Sequence, residues 1–297
     1  MTLGTGSAAA SSLGARIDRR VGCSTISLRR LPLEEALRQI ARAGFAEIDL
    51  GALPGVCDHV PVPLPPERIE PIAAQVAASG LRVRTVNADI GALDDPALKR
   101  GGIGTRLQPL ARLAQLTGAP SITLPCGAHG TEPRDDEEQA VRAVATSLTT
   151  AAGLLARHGL ALYAEAPHSM RLCHDLPRAL RLMGELGAAD VQFVLDASHV
   201  VASGGDCVEA ARAFGDRLAH VHLRDAVRGD IHRSIGRGDV DFAALIRHLT
   251  ATGYAGHYSL ELETNDVRDE DRPAAAAQAG VAISALLADA EAAPSRH

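Results

Sequence analysis

Short apolar runs alternate with longer amphipathic stretches from about residue 20 to residue 290, and this rhythm predicts repeated strand–helix units. Strands are expected at 20–24, 45–50, 81–87, 120–125, 160–165, 191–195, 218–223 and 258–262. Helical patterns fill the gaps. One covers 33–43, with Pro32 at its first turn and Gly44 just past its end; another covers 138–158 and is closed by Gly159.

Eight strands separated by helices imply parallel pairing through right-handed crossovers, and closing such a sheet removes both of its edges. The expected fold is therefore α/β, a single-domain (β/α)8 TIM barrel. The 297 residues suit it, since such a barrel commonly needs about 250. No Pro- or Ser-rich linker divides the chain, so residues 20–290 read as one barrel between a flexible N-terminal tail at 1–19 and a C-terminal tail at 291–297. An open doubly wound sheet competes, but its nucleotide-binding form needs G-x-G-x-x-G between a first strand and helix. Gly4 and Gly6 precede any strand, and Gly101, Gly102 and Gly104 begin a helix far from one.

Composition narrows the functions. Aromatic residues are only 2% and Trp is absent, leaving little for base-stacking platforms or aromatic cages. A net charge of −6 gives no basic field for a polyanion, so no nucleic-acid partner is expected. Five scattered cysteines, odd in number and without a C-x-x-C pair, suit reduced thiols and a cytoplasmic location. No export signal is read, and no segment is expected to reach the roughly 18 apolar residues of a span, so no membrane partner is expected. Lys99 is the one lysine and lies in a polar segment, which argues against a Schiff-base mechanism.

Active sites of such barrels form at the C-terminal ends of the strands. There the fifth strand ends in Ala-Leu-Tyr-Ala-Glu165, the sixth in Phe-Val-Leu-Asp196, the seventh in His-Val-His222, and the eighth carries Ser-Leu-Glu261. A carboxylate at the end of a buried apolar strand is costly unless paired, hydrogen-bonded or bound to a cation. Each acid alone reads first as a strand-end residue paired with Arg or capping a helix. Three such acids and one His on successive strands point instead to one oxygen-rich divalent-metal site, suited to Mn²⁺ first, then Mg²⁺, Co²⁺ or Zn²⁺. Glu263 shares the parity of Glu261 and competes for its place; His220 lies deeper than His222 and reads as structural.

The series Glu165, Asp196-Ala-Ser-His199, His222-Leu-Arg-Asp225, Gly236-Arg-Gly-Asp-Val-Asp-Phe242 and Ser259-Leu-Glu261 resembles the xylose isomerase-like TIM barrels across roughly residues 20–266. That superfamily includes sugar-phosphate isomerases and epimerases, ketose 3-epimerases, inosose dehydratases and the endonuclease IV group. The ketose-epimerase pattern implies Glu165, Asp196, His222 and Glu261 as metal ligands, with Glu165 and Glu261 also as the catalytic pair. It implies His199 and Arg228 as substrate-positioning groups, and His168 and His232 are further pocket candidates. The implied activity is a divalent-metal-dependent isomerase or epimerase that handles a small sugar or related polyhydroxy carbonyl compound through an enediolate. Related barrels associate, which leaves room for a homo-oligomer.

Other readings share the scaffold. A lyase acting on an inosose-like or 3-keto-glycoside substrate would use the same first enolate. Asp230-Ile-His232, with His59 and His129, also resembles the extra zinc ligands of endonuclease IV, but the acidic, aromatic-poor chain opposes a DNA role. A non-catalytic ligand-binding barrel is the third. Arg224, Arg228, Arg233 and Arg237 crowd the loop after the seventh strand and could recognise a carboxylate or phosphate, or simply form a solvated loop. Asn87, ending the third strand, could bond a hydroxyl or cap the next element.

Overall fold

The computed structural model describes residues 16–133 and 136–293. Its strands are β1 (Val21–Cys23), β2 (Glu47–Ala52), β3 (Arg82–Ala88), β4 (Ser121–Pro125), β5 (Ala161–Glu165), β6 (Val191–Asp196), β7 (Leu218–Leu223), β8 (Asp225–Val227), β9 (Asp230–Arg233) and β10 (His257–Leu260). Eight form one parallel sheet in the order β1-β10-β7-β6-β5-β4-β3-β2, while β8 and β9 make a separate antiparallel hairpin. The end strands β1 and β2 meet closely at Gly22, where an added Cβ would stand 3.0 Å from the Glu47 carbonyl oxygen. The result is the nearly closed (β/α)8 barrel expected from the sequence.

The helices are α1 (Leu33–Arg42), α2 (Pro66–Ser79), α3 (Ile103–Thr117), α4 (Glu137–Ala156), α5 (Leu176–Leu186), α6 (Ala197–Ala202), α7 (Cys207–Phe214), α8 (Phe242–Ala251) and α9 (Arg272–Ala292). Local chemistry sets their ends. Asp136 caps α4 by accepting the Gln139 N–H, and Gly44 follows α1 with φ +94°, a conformation that a side chain would strain. Contrary to expectation, one apolar stretch reaches spanning length: residues 269–292 form 24 helical residues with a mean hydropathy of 1.3 over the most apolar window. Here α9 packs on α8 and β1, burying Ala276, Ile283 and Leu287.

The expected N-terminal tail lies outside the described residues up to residue 15. From there on the chain is docked: Ile17 packs on the core and the Asp18 amide donates to Ser284 Oγ on α9 at 2.8 Å. At the other end α9 runs to Ala292, and residues 294–297 of the expected tail lie outside the described range.

Strand alternation sorts the barrel wall by polarity. Ile48, Leu50, Val86, Ile122 and Val221 join the hydrophobic core, whereas their neighbours Asp49, Asn87, Thr123 and His222 are polar and buried. Contacts across the barrel show where these polar side chains go: Asp49 of β2 reaches His220 and His222 of β7, and Asn87 of β3 reaches Glu261 beyond β10. The upper lumen is thus a buried polar network whose members must satisfy one another.

Candidate functional site

Four of the predicted side chains converge. Glu165 is the last residue of β5, Asp196 the last of β6, His222 lies near the end of β7 and Glu261 follows β10. Each offers a donor atom within 4.8 Å of the others'. His222 Nδ1 stands 3.0 Å from Glu165 Oε1 and 3.2 Å from Glu261 Oε2. All four are buried, at the barrel end where the following loops gather.

Neighbours aim these groups. Asp196 Oδ1 accepts from the Ser198 and His199 amides at 2.7 and 3.2 Å, capping α6, and from Ser198 Oγ at 2.6 Å. Its Oδ2 lies 3.4 Å from Arg224 Nη2. The helix-cap reading of Asp196 is therefore correct and compatible with a role for its other oxygen. Arg224, fully buried, also donates to Glu263, which ties that carboxylate away from the four-residue cluster. Glu261 is the acid in the cluster, with Asn87 Nδ2 donating to its Oε1 at 2.9 Å.

Asp49 is the residue that the sequence reading missed. Its Oδ2 lies 3.2 Å from His222 Nε2 and 2.8 Å from His220 Nε2, so it orients His222 with Nδ1 facing the two glutamates. Its signal was available: an acid inside the apolar run Ile48-Asp49-Leu50 of a strand must find a partner. His220 serves Asp49, in agreement with its structural reading.

The electrostatics follow from crowding. Burial pushes the Glu261 carboxyl up to about 7, against the opposing pull of His222 and with further help from Glu165 and Asp196. His222 is raised well above the usual imidazole value: burial opposes its charge, but Glu261, Asp49 and Glu165 outweigh it. Complete burial works against ionised Asp196 and Asp49 as well, yet Arg224 and His222 hold the first, and His220 and His222 the second, below the usual carboxylate range. An excess of buried carboxylates around one imidazole is the donor set that a hard divalent cation would satisfy. The residues fit such an ion.

The cavity above the cluster is lined by His168, His199, Asn87, Ile231 and Glu263 among others. His168 and His199 stack with ring centroids 3.8 Å apart. Burial, reinforced by Arg224 beside His199 and by the His199 ring beside His168, holds both well below the usual imidazole value. His199 Nδ1 accepts the Ser169 amide N–H at 3.2 Å, which leaves its ring proton on Nε2.

Other candidates fall elsewhere. Arg228 is exposed at the β8–β9 turn, and its guanidinium lies over Gly204, outside the cavity. His232 turns away because strand alternation puts Ile231 into the cavity; its Nδ1 donates to the Glu263 carbonyl at 2.9 Å. Asp230 pairs with Arg233 at 2.9 Å, and Arg237 is exposed. His59 is tied to the Leu31 carbonyl and to Cys57, whereas His129 sits on the cavity rim beside Arg171. Among the described residues, the groups of three or more metal-capable donors are the four-residue cluster and Asp49-His220-His222, so Asp230, His232, His59 and His129 form no further such group.

Comparisons with known proteins identify relatives of the chain and of its fold. An uncharacterized protein of Mycobacterium leprae is 36% identical over 85 residues, which are 28% of this chain and 30% of that protein's length. The chain thus spans less than a third of that relative. L-ribulose 3-epimerase of Mesorhizobium japonicum is 26% identical over 251 residues, 80% of this chain and 78% of the relative. A solved L-ribulose 3-epimerase superposes with a TM-score of 0.74 at 22% identity, covering 92% and 96% of the two chains. The IOLI protein, solved with a bound zinc atom, gives 0.71 at 16% identity over 90% and 98%. The family profile described as Xylose isomerase-like TIM barrel matches residues 37–285, most of the chain, and with the barrel observed here this means that the chain belongs to the xylose isomerase-like TIM barrel family.

Proposed function

We propose that this chain is a divalent-metal-dependent isomerase or epimerase acting on a small sugar or related polyhydroxy carbonyl compound. The observation that carries the reading is the meeting of Glu165 and Glu261 on His222 Nδ1, at 3.0 and 3.2 Å, with Asp196 in the same cluster. These four side chains would hold the ion, Mn²⁺ being the first choice. When bound, it supplies Lewis-acid polarisation of a substrate carbonyl and its adjacent hydroxyl.

The remaining work belongs to the chain. Glu165 and Glu261 come from strands three places apart around the barrel, β5 and β10, so they flank the space between them. Inversion of a carbon beside a carbonyl needs a base on one face and an acid on the other, and two carboxylates so placed can exchange those roles. Aldose–ketose isomerisation needs one of them, moving a proton between neighbouring carbons. Asn87 fixes Glu261 through Oε1, and the Nε2–H of His199 is the donor offered to a substrate hydroxyl. His168 stacks behind it. The resemblance to L-ribulose 3-epimerase along 80% of the chain agrees with this class of chemistry.

The test is a screen of ketoses and aldoses in D2O with chelator-stripped protein reconstituted separately with Mn²⁺, Mg²⁺, Co²⁺ and Zn²⁺. The expected result is metal-dependent formation of an isomer carrying solvent deuterium beside the carbonyl. Loss of water or of an aglycone would move the assignment to the lyase reaction. No turnover with any restored metal would overturn the enzymatic reading.

A further inference from the structure

At the cavity rim, away from the metal-capable cluster, three loops meet around Arg171. The residue is only 5% exposed, yet it lines the cavity. Its Nη1 donates to the Gly127 carbonyl at 2.8 Å and its Nη2 to Asp89 Oδ2 at 2.6 Å, while Nε is buried with no partner. His129 Nε2 stands 3.3 Å from Nη2, and backbone pairing of His129 with Arg171 clasps the loop after β4 to the loop after β5. Asp89, which follows β3, also accepts the Gly91 amide at 2.7 Å. The guanidinium is thus held rigidly, and its charge is already matched by Asp89.

The same matching recurs around the cavity. Three imidazoles face it, and each uses one ring nitrogen as an acceptor: His199 from the Ser169 amide, His168 from the Met170 amide, and His129 from Arg171. A ring nitrogen that accepts carries no proton, so these rings are neutral. Glu263 is matched by Arg224. Asp196 shares Arg224 with Glu263, and what remains is Glu165 and Glu261, two carboxylates that the proposed divalent cation would match. Among the described residues, those that line the cavity offer no spare positive charge for an anion, although they are rich in paired donors and acceptors.

We propose that Asp89, Arg171 and His129 form a specificity-determining pole that binds the hydroxyl-bearing tail of an uncharged polyol and discriminates against phosphorylated and carboxylated counterparts. The inference rests on the proposed class of reaction and narrows its substrate. Asp89 is the discriminating group: it cancels the one arginine among the described residues that line the cavity, which a phosphate or carboxylate could otherwise use. Arg171, so neutralised, acts as a fixed donor of hydrogen bonds.

The test measures binding, which separates this inference from the fate of the catalytic reading. Calorimetric titration of the Mn²⁺-reconstituted protein with xylitol, xylonate and xylitol 5-phosphate should show xylitol binding at least ~10-fold more tightly than either anion. Asp89→Asn, which leaves Arg171 uncompensated, should narrow that gap by ~10-fold or more, whereas Arg171→Gln should weaken xylitol binding and widen the gap. Thermal melting of each variant confirms a folded sample, and two variants with opposite expectations guard against one failing to fold. The proposal is overturned if either anion binds as tightly as xylitol, if xylitol does not bind, or if Asp89→Asn leaves the ratio unchanged. A protein that binds xylitol selectively but turns over no sugar would defeat the catalytic reading alone.

Discussion

Protons and the proposed metal ion would compete for the same atoms in this site, chiefly His222 Nδ1 and the Glu261 carboxyl. Both groups are raised, Glu261 to about 7, so each would have to release a proton to become a ligand. Metal affinity should therefore rise with pH from about 6 to 8, by up to ~10-fold per unit for each proton released, and calorimetry at several pH values reads it directly. Glu261→Gln removes one of the two competing groups. It should flatten that dependence, weaken Mn²⁺ binding and lower turnover by ~10²–10⁴-fold, while the melting temperature changes little. Full activity in this variant would rule out Glu261. The sequence already placed these four residues together, because strand-end carboxylates in a buried wall have few alternatives. It missed Asp49, whose role depends on register: only the barrel puts a mid-strand acid of β2 opposite two histidines of β7.

The eight barrel strands were readable as elements because their apolar runs contrast with the amphipathic helices between them. The hairpin β8–β9 was not. Its strands are short and charged, and what builds it is one side chain: Asp225 accepts from the amides of Ala226, Gly236, Arg237 and Val240 at 2.8 to 3.1 Å. That folds the segment back so that Ile231 faces the cavity and the basic residues do not. Hence Arg228 and His232, reasonable pocket candidates in a loop, are displaced by strand alternation and by the turn. Close packing locks the arrangement: a Cβ at Gly238 would lie 2.3 Å from the Ala226 carbonyl oxygen and 2.4 Å from Asp225 Oδ1. Gly238→Ala should then cost about 1–3 kcal/mol or more in urea unfolding, as overpacking does, and should raise KM as the cavity wall shifts. A variant with unchanged stability and kinetics would show the hairpin to be dispensable.

Across the whole molecule, the two ends of the barrel divide stability from chemistry. At the end opposite the site, Glu47 opens β2 and is fully buried, yet it accepts bonds from Arg82 and Arg84 at 2.7 to 3.1 Å and lies 2.7 Å from His257 Nδ1 on β10. These contacts join β2, β3 and β10 beside the seam at Gly22, where β1 and β2 close the barrel by approach alone. Burial opposes the Glu47 charge, but His257, Arg84 and Arg82 outweigh it and hold the carboxyl well below its usual value. The sign follows: a depressed carboxyl contributes stability that is present above about pH 4.5 and is lost as pH falls below it. Glu47→Gln retains the shape but loses the charge and turns an amide toward the arginines, so it should lower unfolding stability at pH 7 by about 1–3 kcal/mol, a value discounted for the exposure of Arg82. The deficit relative to the unmodified protein should shrink as pH is taken below 4.5. Because the metal-capable cluster lies at the other end of the lumen, Mn²⁺ affinity per folded molecule should not change. Denaturant unfolding at pH 7 and pH 4, paired with metal titration at pH 7, checks both halves, and a loss of metal affinity together with stability would mean that the two ends are coupled through the strands.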